Sequence, residues 1–194
     1  MASIGTHAQP GRAPLESMIC DLRAAKPADA DALALVGAAT FLETYAGQLP
    51  GAAITAHCTA NHSSTAWHEL LMAKTTEVWL AEAPGSAPVG YAALTLPDIP
   101  GQQESDLELR RIYLLSSWHG RGIGGALLTR ATQAAAKRGA RRMLLGVWAQ
   151  NRRALGFYAA HGFHKIATRR FQVGPMMCDD YVLARQLVDE SSAA

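Results

Sequence analysis

The chain lacks the features of a membrane protein and those of a secreted, disulfide-bonded one. No run approaches the roughly 20 consecutive apolar residues needed to cross a bilayer, and the first residues contain no basic segment followed by an apolar one. Its three cysteines, Cys20, Cys58 and Cys178, are odd in number and widely spaced, which is typical of ordinary reduced thiols. These absences predict a cytoplasmic protein with no membrane partner.

Strong charge of one sign is also missing. The formal net charge is +2, too small for the electrostatic footprint of a nucleic-acid-binding protein, so no nucleic-acid partner is expected. Short basic clusters at 138–142 and 169–170 are typical of solvated faces, with anion binding as the alternative. Histidines and a cysteine crowd the segment 57–68, but their spacing matches no familiar ligand pattern, so no metal site is predicted.

The composition is that of a globular protein with one core. The chain has 194 residues, of which 49% are hydrophobic, and this length predicts a single domain. Residues 1–17 mix Gly, Pro, Ala and Thr without periodicity, as expected of a disordered tail. We therefore expect one domain over 18–188 and a short C-terminal tail over 189–194. The sequence leaves a homodimer open.

The periodicity of the apolar residues indicates alternating strands and helices. Helical spacing follows Pro27 and continues to Tyr45, and the segment 50–73 predicts one or two short helices. Two further helices are predicted over 122–137 and 151–161. Strands are predicted over 19–23, 77–82, 89–96, 107–115, 142–148, 163–173 and 180–187. This order predicts an α/β protein in which helices cover the faces of a mixed sheet.

A glycine-rich loop between a strand and a helix, at 119–125, is the first candidate site. Its four glycines allow successive N–H groups to point inward, and the helix N-terminus adds partial positive charge. The loop is therefore predicted to bind a pyrophosphate, with a plain tight turn as the alternative. It is not a nucleoside triphosphate P-loop, because no Gly-Lys-Ser/Thr follows. A dinucleotide fold fits badly, because the glycines come late and no acidic residue follows at the expected distance.

This strand, loop and helix resemble motif A of the GNAT superfamily of acetyltransferases, whose loop has Gln or Arg, two residues, Gly, one residue, and Gly or Ala. Gly122 and Gly124 match that pattern, whereas His119 stands where the family usually has Gln or Arg. The segment from Asn151 to Phe163 is similar to the family's motif B. The resemblance implies an α/β fold with a mixed, mostly antiparallel sheet of six to seven strands and helices on both faces.

The same resemblance implies acetyl-CoA as co-substrate, without a metal. The backbone of Ile112, Tyr113 and Leu114 would hold the pantetheine arm like an added strand. Asn151 would contact the cofactor, although an Asn at this position is also a good helix N-cap. The pyrophosphate would be held by the loop residues His119, Gly120, Arg121, Gly122, Ile123, Gly124 and Gly125.

Acetyl transfer to an amine requires a proton acceptor for the ammonium and a proton donor for the departing thiolate. By the resemblance, Tyr158 would be the general acid, with core packing as the alternative. Glu108 stands where some family members carry a catalytic glutamate. Strand alternation predicts that it shares a face with Ile112 and Leu114, whose apolar side chains would raise its pKa. A salt bridge with Arg110 or Arg111, or proton relay by water, is the alternative.

Further segments of the sequence resemble the PaiA-type spermine/spermidine acetyltransferase branch. The resemblance implies that the acceptor is a small-molecule primary amine, with a polyamine as the candidate. Phe41, Tyr45 and Asp180 are the candidate acceptor-binding residues. The alternatives are acetylation of a protein N-terminus or another amine, and a non-catalytic acetyl-CoA sensor. A polyamine pocket should offer several carboxylates, and the candidates are Glu43, Asp98, Glu104, Asp106, Asp179 and Asp180.

Overall fold

The computed structural model describes residues 20–174 and 176–187. The predicted tails and the outer limits of the predicted domain lie outside these residues. Seven strands form one sheet in the order β1-β2-β3-β4-β5-β7-β6, in which β4 and β5 are parallel and the other neighbours antiparallel. The strands are β1 (Asp21–Ala24), β2 (Glu77–Ala83), β3 (Ala87–Thr95), β4 (Asp106–Leu114), β5 (Arg142–Trp148), β6 (His164–Val173) and β7 (Met176–Gln186).

Helices cover both faces of the sheet, as predicted. On one face, α1 and α3 pack against β2 and β3 through a core that includes Leu33, Trp67 and Tyr91. On the other face, α4 and α5 enclose a larger core that includes Leu127 and Met143. None of the described helices is both long enough and apolar enough to cross a membrane. The helices are α1 (Ala30–Tyr45), α2 (Gly51–Asn61), α3 (Ser64–Met72), α4 (Ile123–Lys137) and α5 (Arg152–Ala160).

The helix α4 follows from its local sequence. A stripe of apolar residues at helical spacing, from Ile123 through Leu127 to Ala131, is buried against the sheet. Gly122 precedes the helix with a φ of 77°, and Gly139 follows it with the same φ. This left-handed conformation suits glycine at both ends. The sequence therefore fixes where α4 begins, and with it the position of the preceding loop.

A β-bulge in β4 overturns one sequence prediction. Ala93 pairs with Arg111 but Leu94 pairs with Leu109, which leaves Arg110 as an extra residue in β4. The bulge reverses the side-chain alternation, so Ile112 packs on the same face of the sheet as Leu109, against the core beneath α4. Glu108, which adjoins Leu109, points to the opposite face. The prediction that Glu108 shares a face with Ile112 and Leu114 is therefore wrong.

The parallel strands β4 and β5 separate in the middle of the sheet. Their pairing covers only Asp106 to Glu108 on β4 and Arg142 to Leu144 on β5. Beyond these pairs, β4 continues along β3 and β5 continues along β7. The two strands diverge because each follows its other neighbour. The divergence opens a gap in the sheet, which we call the split.

The last two strands form a longer hairpin than the sequence predicted. The expected strand over 180–187 begins instead at Met176, because Val173 already pairs with Met176 across the turn. Within this hairpin Arg169 pairs with Asp180, and Phe171 pairs with Cys178. Both side chains lie beside the split, in the same cavity lining as Ile112 of β4.

Candidate functional site

Two clefts meet at the split. The loop cleft, with a volume of about 340 Å³, lies beside the glycine-rich loop and the start of α5. The arginine cleft, with a volume of about 130 Å³, lies beside α1, α2 and the strands β4 to β7. Five residues line both clefts, namely Ile112, Tyr113, Asn151, Ala154 and Tyr158. The structure therefore places a shared wall between two adjoining sites.

The loop cleft brings together part of the predicted cofactor set. Six of those residues line it: Ile112, Tyr113, Leu114, His119, Gly124 and Asn151. Gly120, Gly122 and Gly125 belong to the adjoining loop and first turn, outside the lining. The Ile123 side chain is buried in the core, and the Arg121 guanidinium lies 4.8 Å from the centre of the Trp118 ring.

The loop is fixed by its own backbone. Gly120 and Gly122 have φ values of 75° and 77°, and a Cβ on either would meet no atom within 4 Å. The ring of His119 joins the loop to β4 through a 2.7 Å hydrogen bond between its Nε2 and the carbonyl oxygen of Leu114. An open loop in front of the α4 N-terminus fits a phosphate group, because its N–H groups and the helix dipole favour anions.

The split also offers backbone groups to a ligand. Past Glu108, the edge of β4 that faces away from β3 has no partner strand within the described chain. Buried peptide groups are normally paired, so an extended ligand with amide groups could hydrogen-bond there. This geometry fits the pantetheine arm that was predicted to lie along Ile112, Tyr113 and Leu114.

Asn151 caps α5 through a 3.0 Å hydrogen bond from the Ala154 N–H to its Oδ1. It lines both clefts as well, so the cap is compatible with a role in binding. Glu43 on α1, a predicted acceptor carboxylate, lines the loop cleft and not the arginine cleft. Its carboxylate accepts a hydrogen bond of 2.9 Å from the Ser116 N–H. The lining residues that sequence analysis missed are Thr44, Ser116, Arg153, Ala154 and Phe157.

All three predicted acceptor-binding residues, Phe41, Tyr45 and Asp180, line the arginine cleft. Of the other acidic candidates, none lines this cleft. Apart from the shared wall, most of its lining was not predicted, because it comes from segments that are distant in sequence. The missed side chains include His57, Arg110, Arg111, Trp148, Arg169, Phe171 and Cys178.

Two arginines dominate the electrostatics of this cleft. Arg169 pairs with Asp180 over 3.4 Å, and the two side chains are 17% and 7% exposed. Gly146 makes room for Arg169, since a Cβ at this position would overlap the guanidinium. Arg111 lies 4.9 Å from the centre of the Trp67 ring and donates a 3.1 Å hydrogen bond to the Asn61 carbonyl oxygen. Arg169 belonged to a cluster that the sequence had assigned to a solvated face, and that prediction is wrong for this residue.

The histidines near Arg111 are neutral at physiological pH. Burial, reinforced by the Arg111 charge, lowers the pKa of His57 to about 4 and that of His62 to about 3. The His57 ring stacks on Phe41 with 4.1 Å between the ring centres. Among the described residues, no group of three His, Cys, Asp or Glu side chains is placed to hold a metal ion.

Tyr158 is a buried residue of α5 in the shared wall. Burial, and to a lesser degree Tyr113, raises the pKa of the Tyr158 phenol, which therefore carries its proton at neutral pH. Its ring also packs edge-on against Phe163, with 5.7 Å between centres. Tyr158 thus packs in the core and borders both clefts.

Glu108 is buried but lines neither cleft. Its Oε2 accepts a 3.1 Å hydrogen bond from the Asp98 N–H. Burial raises the pKa of Glu108, against smaller opposing contributions from that hydrogen bond and from Arg110 and Arg169. Within the described residues it forms no salt bridge with Arg110 or Arg111, so the salt-bridge alternative is wrong.

Comparison with known proteins agrees with this geometry. Residues 39–163 match the Acetyltransferase (GNAT) family, a span that includes the glycine-rich loop, the split and Tyr158. The chain belongs to the GNAT acetyltransferase family. It is 38% identical over 160 residues to an uncharacterised N-acetyltransferase of Mycobacterium bovis, covering 82% of this chain and 99% of the relative. This GNAT protein is therefore an acyltransferase, as the resemblance of its motifs predicted.

Solved structures share the fold of this GNAT chain. The PaiA N-acetyltransferase of Thermoplasma acidophilum, in complex with coenzyme A, superposes with a TM-score of 0.72 at 21% identity, covering 87% of this chain and 99% of that one. The Salmonella typhimurium acetyltransferase yncA, solved with acetyl-CoA, gives a TM-score of 0.62 at 20% identity, covering 88% and 95%. The predicted GNAT fold is thereby confirmed.

Proposed function

We propose that this GNAT protein transfers the acetyl group of acetyl-CoA to the primary amine of a small molecule. The observation that carries the proposal is the shared wall, in which Tyr158 borders the loop cleft on one side and the arginine cleft on the other. A donor and an acceptor bound in the two clefts would meet beside a proton-bearing phenol. Holding the two reactants together in this way is itself a large part of catalysis.

In the proposed arrangement the loop cleft binds acetyl-CoA. The loop from His119 to Gly125 would bind the pyrophosphate, and the free edge of β4 would bind the pantetheine arm. Asn151, which already caps α5, would contact the cofactor near the shared wall. The solved relatives that contain coenzyme A or acetyl-CoA support the choice of cofactor at the level of the fold.

The reaction needs one bond formed, one broken and two proton movements. The neutral amine nitrogen forms a bond to the thioester carbonyl carbon, and the carbon–sulfur bond breaks. Tyr158 gives its proton to the departing sulfur, so that coenzyme A leaves as a thiol. The nitrogen loses a proton to solvent, or through water to Glu108. Because Glu108 lines neither cleft, it can act in this scheme only through such a water.

The geometry favours a small acceptor. The arginine cleft, at about 130 Å³, is well below the roughly 300 Å³ at which pockets for drug-sized ligands begin. A polyamine was predicted to require several carboxylates. In the wall of this cleft Asp180 is the one acidic side chain among the described residues, and it is paired with Arg169. The polyamine prediction therefore rests on the resemblance of sequence motifs and has no support from the charge of the cleft.

The direct test is thiol release from acetyl-CoA across a panel of small amines, measured for the wild type and for Tyr158→Phe. The variant keeps the ring but lacks the proton donor, so turnover should fall on the order of 10²-fold or more. Acetyl-CoA should still raise the melting temperature of the variant, since it binds the native state. Equal turnover in both proteins would show that Tyr158 only packs in the core. Binding of acetyl-CoA without turnover of any amine would favour a non-catalytic sensor.

A further inference from the structure

We propose that the acceptor is an amino acid with an apolar side chain, and that Arg111 binds its carboxylate in the arginine cleft. This inference rests on the proposed acetyl transfer and names the substrate class for the same site. It differs from the polyamine prediction, because it requires an acceptor that bears a negative charge beside its amine.

The first observation is a half-buried arginine with no counter-charge. Arg111 stacks on Trp67 and donates one hydrogen bond, to the Asn61 carbonyl oxygen. Within the described residues no carboxylate lies within 4.0 Å of its guanidinium. A guanidinium is always charged, and in the part of the chain that the structure describes most of its N–H donors have no protein acceptor. Since burial of an unpaired charge is costly, the site is completed by an anion that enters the cleft.

The groups around Arg111 leave the cleft positively charged. Arg169 is neutralised by Asp180 over 3.4 Å, and Arg110 adds another positive charge to the lining. The nearby histidines, His57 and His62, are uncharged at neutral pH because of burial. A polycation would meet net repulsion in this wall. A carboxylate would be attracted, and the planar fork of an arginine suits it.

The rest of the arginine-cleft wall favours an acceptor with an apolar side chain. The rings of Phe41, Tyr45, Trp148 and Phe171 line the cleft, and Val173 adds an aliphatic surface. Phe41 packs against Tyr45 with 4.4 Å between ring centres, and Tyr45 against Trp148 with 5.8 Å. Burial of an apolar side chain against these groups is favourable. The volume of about 130 Å³ admits a small side chain but not a long peptide enclosed within it.

The order of residues along β4 connects the carboxylate site to the reaction. Arg111 immediately precedes Ile112 and Tyr113, which belong to the wall shared with the loop cleft. Arg111 and Tyr158 line the same cleft, so an amino acid whose carboxylate is held by Arg111 lies in the cleft that Tyr158 borders. Transfer of the acetyl group from the thioester to its amine then yields an N-acetylamino acid and coenzyme A.

The test compares acceptors that differ only in the carboxylate. Thiol release is measured with leucine, methionine and phenylalanine, each beside its amide, and with spermidine. The α-amine of an amino acid amide, with a pKa of about 8, is more easily deprotonated than that of the free amino acid, so chemistry alone favours the amide. We expect instead that at least one free amino acid exceeds its amide by about 10²-fold or more in kcat/KM. Faster turnover of the amides or of spermidine would overturn the inference and leave the acetyl transfer intact.

Variants assign the preference to Arg111. Arg111→Gln should bring the ratio of amino acid to amide close to one, while the melting-temperature shift with acetyl-CoA is retained. Arg130→Gln, which removes the same charge from α4 outside both clefts, should keep the wild-type ratio. Arg111→Lys keeps the charge and serves if the Gln variant does not fold, and it should lower the ratio because it lacks the bidentate fork. A wild-type ratio in a folded Arg111 variant would contradict the assignment.

Binding separates this inference from failure of the proposed function. If no amine is turned over, the three N-acetylamino acids are tested as ligands by melting temperature, beside their N-acetyl amides. A shift with an acid but not with its amide, lost in Arg111→Gln, would support the carboxylate site without the transferase. Absence of any shift with the acids would refute the carboxylate site.

Discussion

The two clefts are built from different materials. In the proposed arrangement the loop cleft holds its ligand chiefly through peptide groups of β4 and of the glycine-rich loop, which are close together in sequence. The arginine cleft depends on side chains from α1, α2 and the strands β4 to β7, which only the fold brings together. A binding site made of backbone tolerates changes of side chain that would destroy the other. We therefore expect substitutions in the two regions to affect donor and acceptor separately.

The largest effect is expected from Gly122→Glu. A negative side chain at the mouth of the proposed phosphate site should abolish the melting-temperature shift produced by acetyl-CoA. Gly139→Glu is the matched control, because Gly139 has the same φ of 77° and open space around its Cα. It introduces the same strain and charge at the other end of α4 and should retain the shift. Loss of the shift in both variants would point to damage of the fold.

Glu108→Gln tests the proton acceptor. The amide keeps an oxygen for the Asp98 N–H but cannot take a proton, so the rate at neutral pH should fall by about 10- to 100-fold. Because burial raises the pKa of Glu108, wild-type activity should decline as pH falls through that pKa, and the variant should lack this acidic limb. At high pH the free amine becomes more abundant and the variant should recover part of its deficit.

A constant deficit of Glu108→Gln from neutral to alkaline pH would instead indicate a structural role. The stability of the variant gives an independent check. A carboxylate whose pKa is raised by folding costs stability at neutral pH, so its neutralisation should not destabilise the protein through charge. Urea unfolding at neutral pH measures this effect.

The buried histidines predict that acid weakens the arginine-cleft side of the molecule. The folded pKa values, about 4 for His57 and about 3 for His62, lie below the unfolded value of about 6.5. Between the folded and unfolded pKa values the unfolded chain therefore binds more protons than the folded chain, and the stability of the fold decreases as the pH is lowered. From pH 7 to 5 the loss should be on the order of 2 kcal/mol per histidine, measured by urea unfolding. His57→Phe should reduce this slope, whereas a substitution of the exposed His68, His68→Gln, should not.

The smallest effect is expected from Gly146→Ala. The added Cβ would overlap the Arg169 guanidinium, whose flexible side chain can move away at the expense of its contact with Asp180. The KM for the acceptor should rise by about 10-fold, because the acceptor wall is disturbed. Binding of acetyl-CoA should be unchanged. Gly156→Ala, which has open space on α5, should alter neither quantity, and equal effects of the two variants would refute this reading of Gly146.

The same difference in material explains how much the sequence could predict. Gly122 and Gly124 report a backbone conformation directly, so a short motif located the loop, α4 and the first cleft. Phe41, Tyr45 and Asp180 were placed on the acceptor side by resemblance, and the structure brings them together there. Their roles and those of the cofactor set remain predictions. The order of strands and helices, and the packing of helices on both faces of the sheet, were also predictable, because the local periodicity of apolar residues indicates them.

What could not be predicted arises from contacts between distant segments. The bulge at Arg110 depends on pairing between β3 and β4, and one extra residue was sufficient to move Glu108 to the other face. The sequence indicates Arg111 as a partner for Glu108 but not its contact with Trp67, which lies 44 positions away along the chain. The burial of Arg169 depends on Gly146 of another strand, whose missing side chain leaves room for the guanidinium.

The short pairing of β4 with β5 has a consequence for hydrogen exchange. Central strands are normally the most protected part of a sheet. Here the pairs end at Glu108 and Leu144, so the next amides of β4 that point away from β3 should exchange quickly although they lie at the centre of the molecule. Amides of the same strand that face β3 should exchange slowly. An extended ligand in the split would remove this contrast, and so the centre of the sheet itself reports occupancy.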